Sequence, residues 1–316
     1  MSSLLPPPPP SVLQALKLSP VPLLASLAGS TASTRSFSVV ASELSHSVSE
    51  GWKGKTVLIT GAASGIGAAV AREAGKRGAN VVLGDLASQE EQMERVAADI
   101  KAGGGQATFR IVDVTSWSQQ LALFRHAVDT FGKIDVVFAN AGMANDEFDQ
   151  QEIELDAAKP PSMRTLRVNL EGVAYTAKLA RYFLGKNPSE DGRRSSSLNR
   201  SGSGTPALYC TSKHAVLGLA RSMAPTLANE GIRTVYMAPF YVRTPLLPPG
   251  WVEACDKAGI ALLSVEDVAR GMLWAAARDG EGKGGAVLVD ASGLTTVPLE
   301  MLEWTGGKEA QAKARL

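Results

Sequence analysis

An α/β fold on a doubly wound parallel sheet is the class this sequence predicts, and three observations predict it. Six short runs are mostly apolar and rich in β-branched residues: Thr56–Thr60, Asn80–Gly84, Ala107–Val112, Ile134–Ala139, Ile232–Ala238 and Ala286–Val289. Strands buried on both faces read this way, whereas strands with one wet face alternate. Stretches long enough for a helix lie between them: Ala68–Arg77, Gln119–Phe131, Met163–Leu184, Cys210–Asn229 and Val265–Ala277. Strand–helix alternation repeated this often calls for right-handed crossovers and a parallel sheet. A glycine-rich string joins the first run to the first helix.

Ahead of these elements the composition differs. Residues 1–50 hold the unbroken run Pro6–Pro10, which forbids a helix there. The apolar stretch Val21–Ala28 is too short to span a bilayer, and no basic segment precedes it to make a secretory signal. From Met1 to Ser42 there is no acidic residue and serine is frequent, as in a transit peptide, but only Lys17 and Arg35 are positive. A disordered leader is the expectation for 1–50, with a mitochondrial transit segment as the alternative. One domain is expected over 51–300, with 301–316 as a tail.

The whole chain of 316 residues is 45% hydrophobic and 20% charged, with a formal net charge of +1. No basic block is present, which argues against nucleic acid as the main partner. Cys210 and Cys255 form no CxxC pair or disulfide framework, which fits a reducing compartment, cytoplasm or, alternatively, the mitochondrial matrix. His46, His126 and His214 are not spaced as ligands, so no metal is expected.

The first strand ends in Thr60-Gly61-Ala62-Ala63-Ser64-Gly65-Ile66-Gly67. Gly61 lets the chain turn tightly off the strand, Gly65 lets backbone approach a pyrophosphate, and Gly67 lets helix and strand pack closely. The free amides at the helix start, around Ser64 and Ile66, would then hold phosphate. A glycine-rich string alone is a weak signal, but here it has the strand before it and the helix after it that the motif requires. The domain is therefore expected to be of Rossmann type. Asp85 ends the second strand 24 residues after Gly61, where a carboxylate accepts hydrogen bonds from an adenosine ribose. Its charge would repel a 2′-phosphate, so NAD(H) is favoured, with NADP(H) as the alternative. Asp85 could equally cap the helix that follows, and the two roles are compatible.

Tyr209 and Lys213 are four apart and share one face of a helix. A free tyrosine titrates near pH 10, too high for a base at neutral pH. An ammonium beside it, with a positively charged nicotinamide ring, favours the phenolate. Tyr209 could then take a proton from an alcohol or give one to a ketone. Such a pair is also a common coincidence of helix surfaces. Cys210 and His214 read as packing residues.

Taken in order, TGAASGIG at 60–67, Asp113-Val114, Ala139-Asn140-Ala141-Gly142, Asn169, Tyr209 to Lys213, and Pro239 with Thr244-Pro245 resemble the short-chain dehydrogenase/reductase family, over about residues 53 to 295. That resemblance implies about seven parallel strands and an NAD(P)(H)-dependent reaction between a secondary alcohol and a ketone. It implies that Asp113 and Val114 flank the adenine and that Asn140, Ala141 and Gly142 line the cofactor. It places Val242 and Thr244, after Pro239, at the nicotinamide carboxamide, and gives Asn169 a water relay to Lys213. Where the family has glycine after the proline, this chain has Phe240, which would narrow the nicotinamide pocket. Family members are often dimers or tetramers, which would make this chain a homo-oligomer.

The resemblance breaks before Tyr209. A fifth strand ending in a catalytic serine belongs there, and Ser196 is the best positional candidate, with Ser197 next. Yet Ser189–Gly204 holds one large apolar residue, Leu198, with Arg193, Arg194 and Arg200, the opposite of a strand buried on both faces. The separation of Asn169 from Tyr209, 209 − 169 = 40, is kept. Either a reading-frame or splice difference has overwritten an ordinary strand, or the sheet has lost its fifth strand and the serine with it. The second case would leave a non-catalytic dinucleotide-binding protein. After the sixth strand, Leu246, Leu247, Pro248, Pro249, Trp251, Ile260 and Leu262 suggest a lid over an apolar substrate, although core packing explains some of them equally well. Ser264 followed by Asp267 is expected to cap the last helix.

Overall fold

The computed structural model describes residues 38–39, 51–144, 160–186, 195–199, 207–247, 249–277, 285–290 and 293–298. In chain order the strands are β1 (Ser38–Val39), β2 (Thr56–Thr60), β3 (Asn80–Asp85), β4 (Gln106–Ile111), β5 (Val136–Ala139), β6 (Ser195–Asn199), β7 (Arg233–Pro239), β8 (Gly285–Asp290) and β9 (Gly293–Pro298). The helices are α1 (Gly65–Lys76), α2 (Glu90–Ala102), α3 (Trp117–Phe131), α4 (Val173–Gly185), α5 (Ala207–Asn229), α6 (Pro249–Ala258) and α7 (Val265–Ala277). A helical turn, Arg164–Leu166, and a π-helical turn, Arg167–Gly172, lead into α4.

The described strands form one sheet in the order β1-β9-β8-β7-β6-β5-β2-β3-β4. From β4 to β8 every pairing is parallel, and β9 then runs antiparallel to β8 and to β1. The chain builds outward from β2 to β4 and crosses back to β5. The strand order therefore reverses between β2 and β5, and a crevice opens there at the carboxyl ends.

Alternate residues of one strand serve the two layers. Val57 and Ile59 of β2 pack with Val70 of α1, Met93 of α2 and Val268 and Leu273 of α7. Leu58, between them, packs on the other face with Phe124 of α3, Leu179 and Leu184 of α4, and Leu227 of α5. All five residues of β2 and all four of β5 are buried, which is why both read as unbroken apolar runs. Truncating such a side chain, as in Leu58→Ala, costs about 2–5 kcal/mol. At the opposite end from the crevice, buried Asp135 accepts the Thr56 amide at 2.8 Å and lies 3.2 Å from Lys133 Nζ. It fixes where β2 begins beside β5. Ser264 caps α7 as expected, its Oγ accepting the Asp267 amide at 3.1 Å.

The fifth parallel strand, doubtful from composition, is present. Ser195–Asn199 pairs with β5 on one side and β7 on the other, Ser196 standing level with Val137 and Thr234. Ladder hydrogen bonds come from backbone groups, so a serine-rich segment can close a gap between two strands that each offer an unpaired edge. The helix expected after Asp85 is α2, whose Met93, Val96, Ala97 and Ile100 fall at helical spacing and are buried. Two further elements are not expected from the sequence. β9 extends the sheet beyond β8. β1 lies within the expected leader, paired through Ser38 with Thr295. The rest of 1–50 and the tail 301–316 lie outside the described residues.

Candidate active site

The turn after β2 is held against the turn after β5. Gly61 has φ +67° and donates its amide to Gly84 O at 2.8 Å, and a Cβ on it would stand 2.7 Å from Ala141 Cα. No side chain fits between the two turns. Asn140 secures them, its Nδ2 donating to Thr60 O at 3.2 Å and to Gly61 O at 3.1 Å. Gly67 lies behind the turn, where a Cβ would meet Gly61 O at 2.1 Å. Its expected role, close packing of α1 on the turn, follows from that contact. Gly65, at φ +52°, faces the Thr244 side chain at 3.5 Å from its would-be Cβ.

These turns border a cavity of about 1110 Å³. Gly61, Ser64, Gly65 and Ile66 form one side of it, joined by Asp85 at the end of β3 and by Asp113 and Val114 after β4. Asp85 already accepts the Ala63 amide through Oδ2 at 2.9 Å and the Leu86 amide through Oδ1 at 2.8 Å. Each carboxylate oxygen keeps a second lone pair for a ribose hydroxyl. The Asp113 carboxylate folds its own turn, with Oδ1 accepting from Thr115 N and Oγ1. Asn140, Ala141 and Gly142 line it too, as do Tyr209, Lys213, Val242 and Thr244. Pro239 closes β7 and is buried, and its neighbour Phe240 takes the place on the wall. A glycine cradle with no room for side chains and a carboxylate beside a helix start fit a dinucleotide.

Tyr209 and Lys213 lie on adjacent turns of α5, both buried, with Lys213 Nζ 5.4 Å from the centre of the Tyr209 ring. Burial pushes the Lys213 ammonium down to about 8. Asn169 sits in the π-helical turn and is fully buried behind the cavity wall. Its Oδ1 accepts the Met143 amide at 2.8 Å, and its Nδ2 donates to Met143 O at 2.8 Å and to Ser212 Oγ at 3.0 Å. Ser212 Oγ in turn donates to Tyr209 O at 2.7 Å. Asn169 therefore joins the turn after β5 to α5. Ser212 was not foreseen, although its place three residues after Tyr209 on one helix was there to read. Ser196 stands on β6 two residues before Leu198, which is level with Ala139 at the end of β5. Its backbone is thus below the strand ends that border the cavity, and its side chain lies outside the described atoms.

Over the Tyr209 end stands an aromatic wall. The rings of Phe240 and Tyr241 meet edge to face at 4.9 Å, and Tyr241 and Trp251 stand 6.2 Å apart. All three line the cavity, with Leu246 and Leu247 beside them. Burial, with Cys255, Cys210 and Tyr209 adding to it, raises the Tyr241 phenol far above its usual range and keeps it protonated. Of the other expected lid residues, Ile260 and Leu262 pack behind Trp251, and Pro248 lies outside the described residues.

Comparison with known proteins bears on the family and the fold. A family profile described as short chain dehydrogenase matches residues 55–250. Borneol dehydrogenase, mitochondrial, of Lavandula x intermedia is 33% identical, over 77% of this chain and 91% of its own. Cis-4-hydroxycyclohexanecarboxylate dehydrogenase of Sinomonas cyclohexanicum is 35% identical over 78% and 99%, and 5'-hydroxyaverantin dehydrogenase of Dothistroma septosporum 38% over 63% and 71%. A solved dehydrogenase/reductase from Sinorhizobium meliloti 1021 shares the fold, with a TM-score of 0.65 at 23% identity, covering 77% of this chain and 97% of that one.

Proposed function

Because the chain belongs to the short-chain dehydrogenase/reductase family, we propose that it uses NAD(H) to interconvert an apolar secondary alcohol and its ketone. One observation carries this: a single cavity runs from the ribose-side carboxylate, Asp85, to the Tyr209–Lys213 pair. Nicotinamide, when bound, supplies or accepts the hydride. Gly61, Gly65 and the amides at the start of α1 would hold the pyrophosphate, and Asp85 the adenosine ribose. Asp85 favours the unphosphorylated nucleotide, because its charge opposes a 2′-phosphate.

Tyr209 carries the proton. In oxidation its phenolate takes the alcohol proton, and in reduction its phenol gives a proton to the ketone oxygen. Lys213, on the next turn, lowers the cost of the phenolate. Asn169 holds α5 and the Met143 turn in register so that the pair meets the substrate oxygen. Ser196 is left on the β6 ladder, below the strand ends. The Phe240–Tyr241–Trp251 wall would seat the apolar body of the substrate. Relatives named for borneol and for hydroxyaverantin accord with an alcohol as the substrate.

The assay is direct. Purified protein is given NAD⁺ and a panel of apolar secondary alcohols, including borneol and cyclohexanol, and NADH absorbance is followed. Growth of NADH supports the proposal. Tight NADH binding with no turnover across the panel would return the non-catalytic alternative, whose motive, a missing fifth strand, is weakened by the presence of β6.

A further inference from the structure

Gln120, in the first turn of α3, is fully buried, and no step above uses it. Its Nε2 donates to Val114 O at 2.6 Å and to Gly172 O at 2.9 Å. Its Oε1 lies 2.7 Å from Thr176 Oγ1, which is itself 2.9 Å from Gly172 O. The amide can stand only one way round. Two carbonyl oxygens face it on one side, so the nitrogen must be there, and the hydroxyl then serves the oxygen. The two carbonyls that Gln120 joins belong to different segments around the site. Val114 borders the nucleotide side of the cavity. Gly172 closes the π-helical turn that carries Asn169. The two touch so closely that a Cβ on Gly172 would stand 2.7 Å from Val114 Cγ2. From Asn169 the hydrogen bonds continue through Ser212 to the backbone of Tyr209.

We propose that Gln120 is a positioning residue for the reaction: it locks the nucleotide-side wall at Val114 to the π-helical turn of Asn169, and through that turn sets where the catalytic helix presents Tyr209 and Lys213. A π-helical turn is a local departure from the ordinary helix and needs partners that define it. Gln120 supplies one through Nε2 at Gly172 O, the last residue of the turn, and its Oε1 meets Thr176, whose hydroxyl reaches the same carbonyl. This rests on the oxidoreductase reading above.

The test uses Gln120→Met, which keeps the length and volume but cannot donate, and Thr176→Val, which removes only the hydroxyl that meets both Gln120 and Gly172. For each variant, kcat and KM for the best alcohol of the panel, the pH profile of kcat/KM, and NADH affinity by fluorescence are measured beside wild type. Gln120→Met is expected to lower kcat ~10- to 100-fold, with the substrate KM changed by less than about twofold and the pH profile displaced. Thr176→Val is expected to show the same pattern at roughly threefold. If Gln120→Met cannot be recovered folded, Thr176→Val decides alone. A folded variant with a lowered melting temperature but unchanged kcat and an unmoved pH profile would overturn the proposal and leave Gln120 a packing residue. Should wild type itself turn over no alcohol, the oxidoreductase reading fails separately. Gln120 is then judged on NADH affinity, expected to weaken about fivefold, and unchanged affinity overturns it.

Discussion

The ammonium of Lys213 stands 5.4 Å from the centre of the Tyr209 ring, one helical turn along the same buried face of α5. Neither group is at ease alone in that setting, a buried cation and a phenol asked to ionise. In the proposed reaction the ammonium would ease the phenolate. Tyr209→Phe keeps the ring and its packing and removes the proton carrier. Its kcat is expected to fall ~10²- to 10⁴-fold while NADH affinity stays within about threefold. Stopped-flow turnover and a fluorescence titration check the two halves separately.

Lys213 makes stability depend on pH in a definite direction. Its pKa is about 8 in the folded chain, against the ordinary 10.5. Between those values the unfolded chain binds the extra proton, so stability rises as pH rises through the window. Below pH 8 the buried ammonium costs at most about 3 kcal/mol. Lys213→Met, without nucleotide, is therefore expected to be more stable than wild type at pH 7 by ~1–3 kcal/mol, and the gap should close by pH 10.5. Urea unfolding at the two pH values measures it. The same variant should be catalytically dead.

Asp85 is expected to set nucleotide choice. Asp85→Ser removes the charge that opposes a 2′-phosphate, so the ratio of kcat/KM for NADP⁺ to that for NAD⁺ should rise ~10- to 100-fold. An unchanged ratio would show that discrimination lies elsewhere.

Gly67 tolerates no side chain. A Cβ there would meet a backbone oxygen, Gly61 O, at 2.1 Å, and backbone cannot step aside as a flexible side chain can. Gly67→Ala is expected to cost about 3 kcal/mol, lowering the melting temperature, and to weaken NADH binding at least tenfold because the phosphate turn must open.

Trp251 and Phe240 bracket Tyr241 in the wall of the cavity. Trp251→Ala should raise KM roughly tenfold for a bulky alcohol of the panel, with a smaller effect for a small one, which reaches less of the wall. Steady-state kinetics on the two alcohols decide it.

Much of this arrangement was legible in the sequence, for identifiable reasons. β2 and β5 announced themselves because burial on both faces leaves no polar position to break the run. Gly61 and Gly67 were legible because a contact that excludes every Cβ can be met by one residue type only. The position of Asp85 followed from the length of one strand–helix–strand unit. What stayed hidden depends on partners distant in the chain. The polarity of Ser195–Asn199 argued against a strand, and only the flanking edges of β5 and β7 explain why one forms. Gln120 looked like any glutamine in a first helical turn, because Gly172 and Thr176 are 52 and 56 residues away.

The hydrogen bonds from Asn140 to Thr60 and Gly61 span about 80 residues. The nucleotide cradle therefore does not exist in any short piece of the chain, and it appears only once β2 and β5 lie side by side. Non-local pairing of this kind is slow to form, and a ligand that binds only the completed sheet stabilises it by mass action. A bound dinucleotide would then guard the finished sheet against unfolding as well as serve the reaction.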